Sequence, residues 1–213
     1  ASVDCFVLLD TVQFERQSWQ SRNKILLNGL VHTLSVPVEH VKLESSIRDI
    51  LTTNCRGDWK AKHLKILSSA YKKCDYGLDI LDIVTGVFNR DSMGLAEINM
   101  SLINAIKTKL NIETRIVRAS DLGAVSGRLA RLDYICKKVG ASEYFSPKGA
   151  QGYLQELDFE ALTGITIIYH DYTPQFYPQR KSAGFISHLS IADVIANIGL
   201  QAAGEYVRNG FYE

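Results

Sequence analysis

The chain has 213 residues, of which 46% are hydrophobic and 22% are charged. This length and composition are typical of a globular protein with one large core. Lys and Arg total 24 against 23 Asp and Glu, for a net charge of +1, which argues against a general nucleic-acid binder or a membrane-surface protein. No apolar run approaches the roughly 18 to 20 residues that cross a bilayer. We therefore predict a soluble cytoplasmic protein.

The four cysteines are scattered along the chain and form no Cys-x-x-Cys pair. A zinc site requires clustered Cys and His with short spacings. We predict that Cys5, Cys55, Cys74 and Cys136 are reduced structural thiols and that the protein holds no metal.

The first predicted element is a strand over residues 5–9, an uninterrupted apolar run that ends at Asp10. A polar segment follows at residues 13–24. A short strand is predicted at residues 34–38, where Pro37 limits its length, and a weaker strand at residues 47–52.

From Trp59 onward, apolar residues recur at helical spacing, and Asp58 is a suitable N-cap. Three helices are predicted before residue 110, and the last has the cleanest amphipathic pattern in the chain. Because no strand separates these helices, we predict a helical subdomain inserted into the sheet at about residues 58–110.

Strands and helices alternate in the second half of the chain. Strands are predicted at residues 114–117, 144–145 and 165–169, with a helix at 129–139, a short helix near Phe159 and a late helix opened by Ser190. Such alternation implies parallel pairing through right-handed crossovers. We predict an α/β fold in which a single domain over residues 1–213 contains a mainly parallel three-layer sheet and the helical insertion.

Polar residues follow several of the predicted strands. Ligands bind beyond the carboxyl ends of parallel strands, so we expect these residues to form a site. Asp10 and Asp171 are predicted to be catalytic proton carriers. A turn with glycine and lysine can cradle phosphate, so Ser146, Lys148 and Gly149 are predicted to bind substrate. The alternative is that such residues only cap the helices that follow.

The polar segment at residues 13–24 reads QFERQSWQSRNK. Guanidinium groups bind phosphate or carboxylate through paired hydrogen bonds, and an indole ring can stack on a ligand ring. We predict that Gln13, Trp19, Arg22 and Asn23 bind an anionic, ring-bearing substrate. The alternative is a surface segment whose aromatic side chains pack into the core.

His63 lies four residues after Trp59, on the same helical face. It is predicted to be a catalytic base, with a hydrogen-bonded packing residue as the alternative. Tyr177, in the sequence FYPQ, is predicted to form a wall of the site. We predict that one cavity is surrounded by Asp10, Arg22, Asn23, His63, Ser146, Lys148 and Asp171.

These segments resemble the WbqC-like family of bacteria. The resemblance is carried by DCFVLLDTVQF at residues 4–14, SWQSRN at 18–23, LSVPV at 34–38, YPQ at 177–179 and LSIAD at 189–193. Residues 59–64, 70–73, 146–154 and 171–172 also match, so the likeness covers nearly the whole chain. Members of the family usually begin with a strand and a His-Gln-Pro-like motif, and we expect this segment to precede the printed sequence or to be naturally absent.

The resemblance implies a role in bacterial surface-polysaccharide, including O-antigen, or natural-product biosynthesis. We predict a transferase or ligase that transfers an acyl or related group to a nucleotide-linked or amino sugar. The alternative is a non-catalytic small-molecule-binding or partner subunit of such an enzyme. The expected partner is a small anionic molecule, with a homo-oligomer left open. No cofactor is assigned, and binding of a nucleotide or coenzyme A is left open.

Overall fold

The computed structural model describes residues 1–40, 42 and 44–209, and it confirms the mixed α/β class. The strands are β1 Cys5–Leu8, β2 Arg22–Leu27, β3 Leu30–Ser35, β4 Arg115–Arg118, β5 Glu143–Pro147 and β6 Thr166–His170. The α-helices are α1 Trp59–Tyr71, α2 Gly77–Phe88, α3 Leu95–Lys109, α4 Ala119–Leu122, α5 Arg128–Val139, α6 Gln151–Glu156, α7 Phe159–Thr163 and α8 Ile191–Asn209. Short 3-10 helices span Ile47–Asp49 and Lys148–Ala150.

The chain divides into two compact units. One, called the hairpin unit here, comprises Ala1, Val12–Glu113 and Pro174–Glu213; the other, called the parallel-strand unit, comprises Ser2–Thr11 and Thr114–Thr173. The single domain with an inserted helical subdomain stays a prediction.

The hairpin unit contains an antiparallel pair that the sequence reading missed. β2 and β3 pair from Arg22↔Ser35 to Leu27↔Leu30, around Asn28 and Gly29, which have φ angles of 53° and 80°. Two consecutive residues with positive φ are the mark of the tight hairpin turn that Asn-Gly favours. The strand placed at residues 34–38 was therefore wrong: it begins earlier and ends at Ser35.

The predicted strand at residues 47–52 was also wrong, because the backbone there forms the 3-10 helix Ile47–Asp49 followed by isolated bridges. Three consecutive helices, α1 to α3, come next, and α1 begins as expected: the Asp58 side chain accepts a hydrogen bond from Ala61 N at 3.0 Å.

In the core of the hairpin unit, α1 and α8 pack on β2, and α2 packs on α1, α3 and α8. Helix α1 presents a stripe of buried residues at intervals of four, Trp59, His63, Leu67 and Tyr71. Helix α8 bends at Gly199, where φ is 83° and a Cβ atom would lie 3.0 Å from the Tyr76 ring. Glycine is therefore required at this bend.

In the parallel-strand unit, β1 pairs with β4 and β5 pairs with β6, both in parallel. Helices α5, α6 and α7 cover one side of β5 and β6 through a core of Cys136, Leu154, Phe159 and Ile165. The predicted helix at residues 129–139 is confirmed, and Gly140 ends it in the left-handed conformation.

The mainly parallel three-layer sheet is not confirmed. Within the described residues the named strands pair only two by two, and one of the three pairs is antiparallel. None of the helices in that part of the chain is long and apolar enough to cross a membrane.

Candidate functional site

Asp10 lies where strand-end geometry predicts, beside the residues that follow the neighbouring parallel strand. Its Oδ1 accepts a hydrogen bond from Ser120 N at 3.0 Å and its Oδ2 accepts one from Ser120 Oγ at 2.6 Å. Asp10 is only 4% exposed, so two donors offset the loss of solvation. This carboxylate ties the end of β1 to the start of α4.

The ends of β5 and β6 carry an ion pair. Lys148 Nζ lies 2.6 Å from Asp171 Oδ2, and both side chains are largely exposed. Ser146, in β5, is fully buried, and its Oγ has no hydrogen-bonding partner among the described residues. A Cβ atom added at Gly149 would meet open space, so close backbone packing does not explain this glycine.

The hairpin unit contains a cavity of about 380 Å³, called the basic pocket here. Its walls come from the segment before β2, from the paired ends of β2 and β3, and from the segment after β3. The lining residues are Phe14, Arg16, Gln17, Ser21, Arg22, Ser35, Val36, Val38, Glu39 and His40. Two guanidinium groups and one imidazole therefore share the pocket with one carboxylate.

Local hydrogen bonds shape the segment that carries most of these residues. Phe14 is buried against Ile50 and Leu95, and its N–H donates to the Ser45 carbonyl at 2.8 Å. At the other end of the segment, Arg22 Nη1 donates to the Gln17 carbonyl at 3.3 Å. The guanidinium has five N–H donors, and among the described residues it has no carboxylate partner.

His63 lies behind the pocket wall instead of lining it. Its Nε2 is 3.1 Å from the Ser35 carbonyl oxygen, and its ring packs edge-on against Trp59 at 5.2 Å between centroids. Burial lowers the pKa of His63, which favours a neutral ring that donates Nε2–H to the carbonyl. Through this bond His63 supports the position of Ser35.

Three other residues of the segment 13–24 were predicted to bind substrate, and none of them lines the pocket. Gln13 forms a backbone bridge with Ser46. Trp19 is 68% exposed, and the Lys24 ammonium lies 5.1 Å from its ring centroid. Asn23 is exposed and alternates with Arg22 along β2, so the two side chains point to opposite faces.

Tyr177 belongs to a buried network. Its hydroxyl donates to Asp193 Oδ2 at 2.9 Å, and Gln179 Nε2 donates to the Ile186 carbonyl at 2.8 Å and to Asp193 Oδ2 at 3.3 Å. Burial raises the pKa of Asp193, and the nearby hydroxyls of Tyr177 and Tyr71 oppose that shift. The network holds residues 177–186 against α8.

Within one unit Arg22 and His63 thus meet the same residue, Ser35, which pairs with Arg22 along the hairpin and lies 3.1 Å from His63 Nε2. In the other unit Lys148 and Asp171 form an ion pair. The prediction that one cavity includes residues of both groups stays a prediction. Sequence reasoning missed Glu39 and His40, because the strand-end argument concerns parallel strands and these residues follow a strand, β3, that pairs antiparallel. No group of three or more potential metal ligands occurs in the part of the chain that the structure describes.

Comparison with known proteins gives two matches. The model of the WbqC-like protein family matches residues 1–205. The uncharacterized protein Rv1507c of Mycobacterium tuberculosis is 29% identical over 210 residues, which are 98% of this chain and 89% of that protein. No solved structure matches the chain.

Proposed function

The chain belongs to the WbqC-like protein family, and from this premise we propose that it is an enzyme of bacterial surface-polysaccharide or natural-product biosynthesis. It transfers an acyl or related group to a nucleotide-linked or amino sugar. The reaction class rests on the family resemblance. The basic pocket supports the part of the proposal that concerns the substrate, namely that an anionic group anchors it.

The observation that carries the proposal is the position of Arg22. One of its donors holds the Gln17 carbonyl, and the remaining donors are available at a pocket that Arg16 also lines. A planar guanidinium binds two oxygens of a phosphate or carboxylate at once. An anionic substrate would therefore replace the water that solvates these donors.

The size and composition of the pocket suit a small metabolite. Its volume of about 380 Å³ lies within the 300–1,000 Å³ that is usual for small-molecule sites. Phe14, Val36 and Val38 supply an apolar wall, and Ser21 and Gln17 supply polar groups. A sugar phosphate offers the matching combination of an anion, hydroxyls and an apolar ring face.

Acyl transfer to an amine needs a base, because the attacking ammonium must lose a proton. His40 lines the pocket, so its imidazole is the group that could take this proton from a bound substrate. His63 supports the wall through Ser35. The catalytic roles of His63, Asp10 and Asp171 stay predictions.

Binding tests the proposal directly. Thermal shift and calorimetry with nucleotide sugars, sugar phosphates and coenzyme A should detect at least one anionic ligand. Arg22→Ala should then raise the Kd about 10- to 150-fold, the loss of one charge-assisted hydrogen bond of about 1.5–3 kcal/mol.

The matched control is Arg48→Ala. Arg48 lies in the same unit, its side chain is 48% exposed, and it does not line the pocket. Its removal should leave the Kd within about twofold, since an exposed charge outside the pocket lining is solvated and screened by salt. Equal effects of the two substitutions, or no binding of any anion by the wild type, would contradict the proposal.

The alternative is a non-catalytic binding module or partner subunit. The lining of the pocket favours this alternative. Most of its polar groups are guanidinium, amide and hydroxyl groups, which bind a ligand, and only one is an imidazole, that of His40. Substrate turnover by the purified protein separates the two. Tight binding of an anionic sugar without turnover, alone or with a biosynthetic extract, would support the alternative.

A further inference from the structure

The two edges of the β2–β3 hairpin are used differently. On the outer edge of β2, Leu26 N donates to the Tyr71 hydroxyl at 3.3 Å, and the Lys24 carbonyl accepts from Ser190 N at 2.7 Å. The backbone groups of Leu26 and Lys24 therefore point away from β3. Helix α1 and the start of α8 cover this edge.

The register then shows where the backbone of β3 points. Leu26 pairs with Val31 and Lys24 pairs with Thr33. In an antiparallel pair, two opposite residues either both bond to each other or both point outward. Val31 and Thr33 must therefore direct their N–H and C=O groups away from β2, at the outer edge of β3.

Nothing in the described part of the chain covers these four groups. The next outward carbonyl, that of Ser35, is bonded to His63, but no hydrogen bond reaches Val31 or Thr33 from the outside. Leu30 is 74% exposed and Val31 is 47% exposed. The edge therefore combines unpaired backbone groups with an apolar tip.

This edge also lacks the features that usually prevent pairing. Proteins protect open strand edges with Lys, Pro, bulges or covering segments. The sequence of β3, LVHTLS, has no Lys, Arg, Asp, Glu or Pro, and its pairing with β2 is regular over six residues. An uncharged regular edge can pair with a copy of itself without repulsion between like charges.

We propose that β3 pairs antiparallel with β3 of a second copy of the chain, about a twofold axis at His32, so that two hairpins form one four-stranded sheet. Val31 of each copy then faces Thr33 of the other. The N–H of each of these residues donates to the C=O of the residue opposite, so all four outward groups of each copy are paired. An isologous contact of this kind closes at two copies. The inference is independent of the proposed function.

The register about His32 has a specific chemical consequence. Opposite residues that do not bond to each other lie with their Cα atoms about 4.5 Å apart, within the range for a disulfide. His32→Cys should therefore form a disulfide-linked dimer under mild oxidation. Leu30→Cys should not, because Leu30 faces Leu34 of the other copy, although residue 30 is the more exposed.

Sedimentation of the whole wild-type chain gives the first measurement. Its weight-average mass should rise with concentration from 23.8 kDa towards twice that value. Val31→Lys and, separately, Thr33→Pro should keep the mass near 23.8 kDa. Thr33→Pro removes an outward N–H that forms no hydrogen bond with β2. If the proline variant fails to fold, Val31→Lys provides the test, because it places a charge at the edge. Leu78→Lys, a change at an exposed leucine of α2 (66% exposed), should leave association unchanged.

Three results would overturn the proposal. A wild type that stays monomeric at all concentrations would show that another molecule, or only solvent, meets this edge. Association that Leu78→Lys weakens as much as Val31→Lys would indicate unspecific apolar contact. Cross-linking of Leu30→Cys at or above the level of His32→Cys, after subtraction of the wild-type background from exposed Cys55, would refute the register.

Discussion

Replacing Asp193 by Asn tests the buried network that anchors α8. Asp193 is 0% exposed, and its Oδ2 accepts hydrogen bonds from Tyr177, Gln179 and Asn197. Because all three donors meet one oxygen, an Asn carbonyl can take its place. The other oxygen, Oδ1, has no hydrogen bond of ordinary geometry among the described residues. The Tyr71 hydroxyl, which also interacts with the carboxylate, can accept a hydrogen bond from the new amide.

The magnitude follows from this geometry. Asp193→Ala would leave the buried Tyr177 hydroxyl without its acceptor, whereas Gln179 Nε2 and Asn197 Nδ2 keep the backbone carbonyls of Ile186 and residue 193. A buried donor left unpaired costs about 1–3 kcal/mol, and we expect the free energy of unfolding to fall by at least that amount. Asp193→Asn keeps the acceptor and loses only the charge. Burial raises the pKa of Asp193, and each pKa unit above the ordinary value costs about 1.4 kcal/mol at neutral pH.

The sign of the pH dependence is fixed by linkage. The folded protein keeps the Asp193 proton to higher pH than the unfolded chain does, so the contribution of this group to stability falls as pH rises above about 3.9, the ordinary Asp value, and through the raised pKa. The free energy of unfolding of Asp193→Asn, minus that of the wild type, should therefore increase with pH in this window and then become constant.

Urea unfolding between pH 3.5 and 7.5, followed by tryptophan fluorescence, measures this difference. Both tryptophans, Trp19 and Trp59, belong to the hairpin unit, and Trp59 is only 4% exposed, so the signal reports the unit that contains Asp193. Asp91→Asn, at an exposed position, is the control and should change the free energy of unfolding by less than Asp193→Asn does. A constant difference for Asp193→Asn, or one that falls as pH rises, would refute the reasoning.

Three further predictions concern the predicted site residues. His63→Phe keeps the ring packing but leaves the Ser35 carbonyl without its donor, and should cost about 1–3 kcal/mol in urea unfolding. Because burial lowers the pKa of His63, wild-type stability should also decline as pH falls through about 6.5, and this decline should be weaker in the variant. Ser120→Ala removes the 2.6 Å hydrogen bond to Asp10, and amide exchange at residue 120 should become faster. Lys148→Ala breaks an exposed ion pair and should change the free energy of unfolding by less than about 1 kcal/mol; a larger loss would indicate a structural role.

The helices could be predicted from the sequence because their signals are local. The N-cap at Asp58, the left-handed end at Gly140 and the apolar spacing of α3 each involve residues within a few positions of one another. The hairpin also had a local signal, Asn28-Gly29, but its strands were not recognised because β2 begins with polar residues that read as a loop.

The candidate site was predictable only in part. Arg22 could be selected from its chemistry, and the meeting of Asp10 with the end of β4 follows from parallel pairing. The pocket could be recognised only once the register of β2 with β3 was known. This register places Arg22 opposite Ser35, and both line the pocket together with His40. Pairing between distant residues depends on loop closure and on the packing of both partners, which no short window of sequence contains.

The sequence by itself determined the α/β class, the positions of the longer helices and the charged residues available for binding, since local propensity and periodicity govern the first two and composition the third. Tertiary structure decided which of those residues share a pocket, and it made Asp193 a buried acceptor instead of an ordinary residue in the first turn of a helix. It also left the outer edge of β3 at Val31 and Thr33 uncovered by any segment among the described residues. Burial and partner choice depend on contacts between residues far apart in the chain, and these arise only when the chain folds.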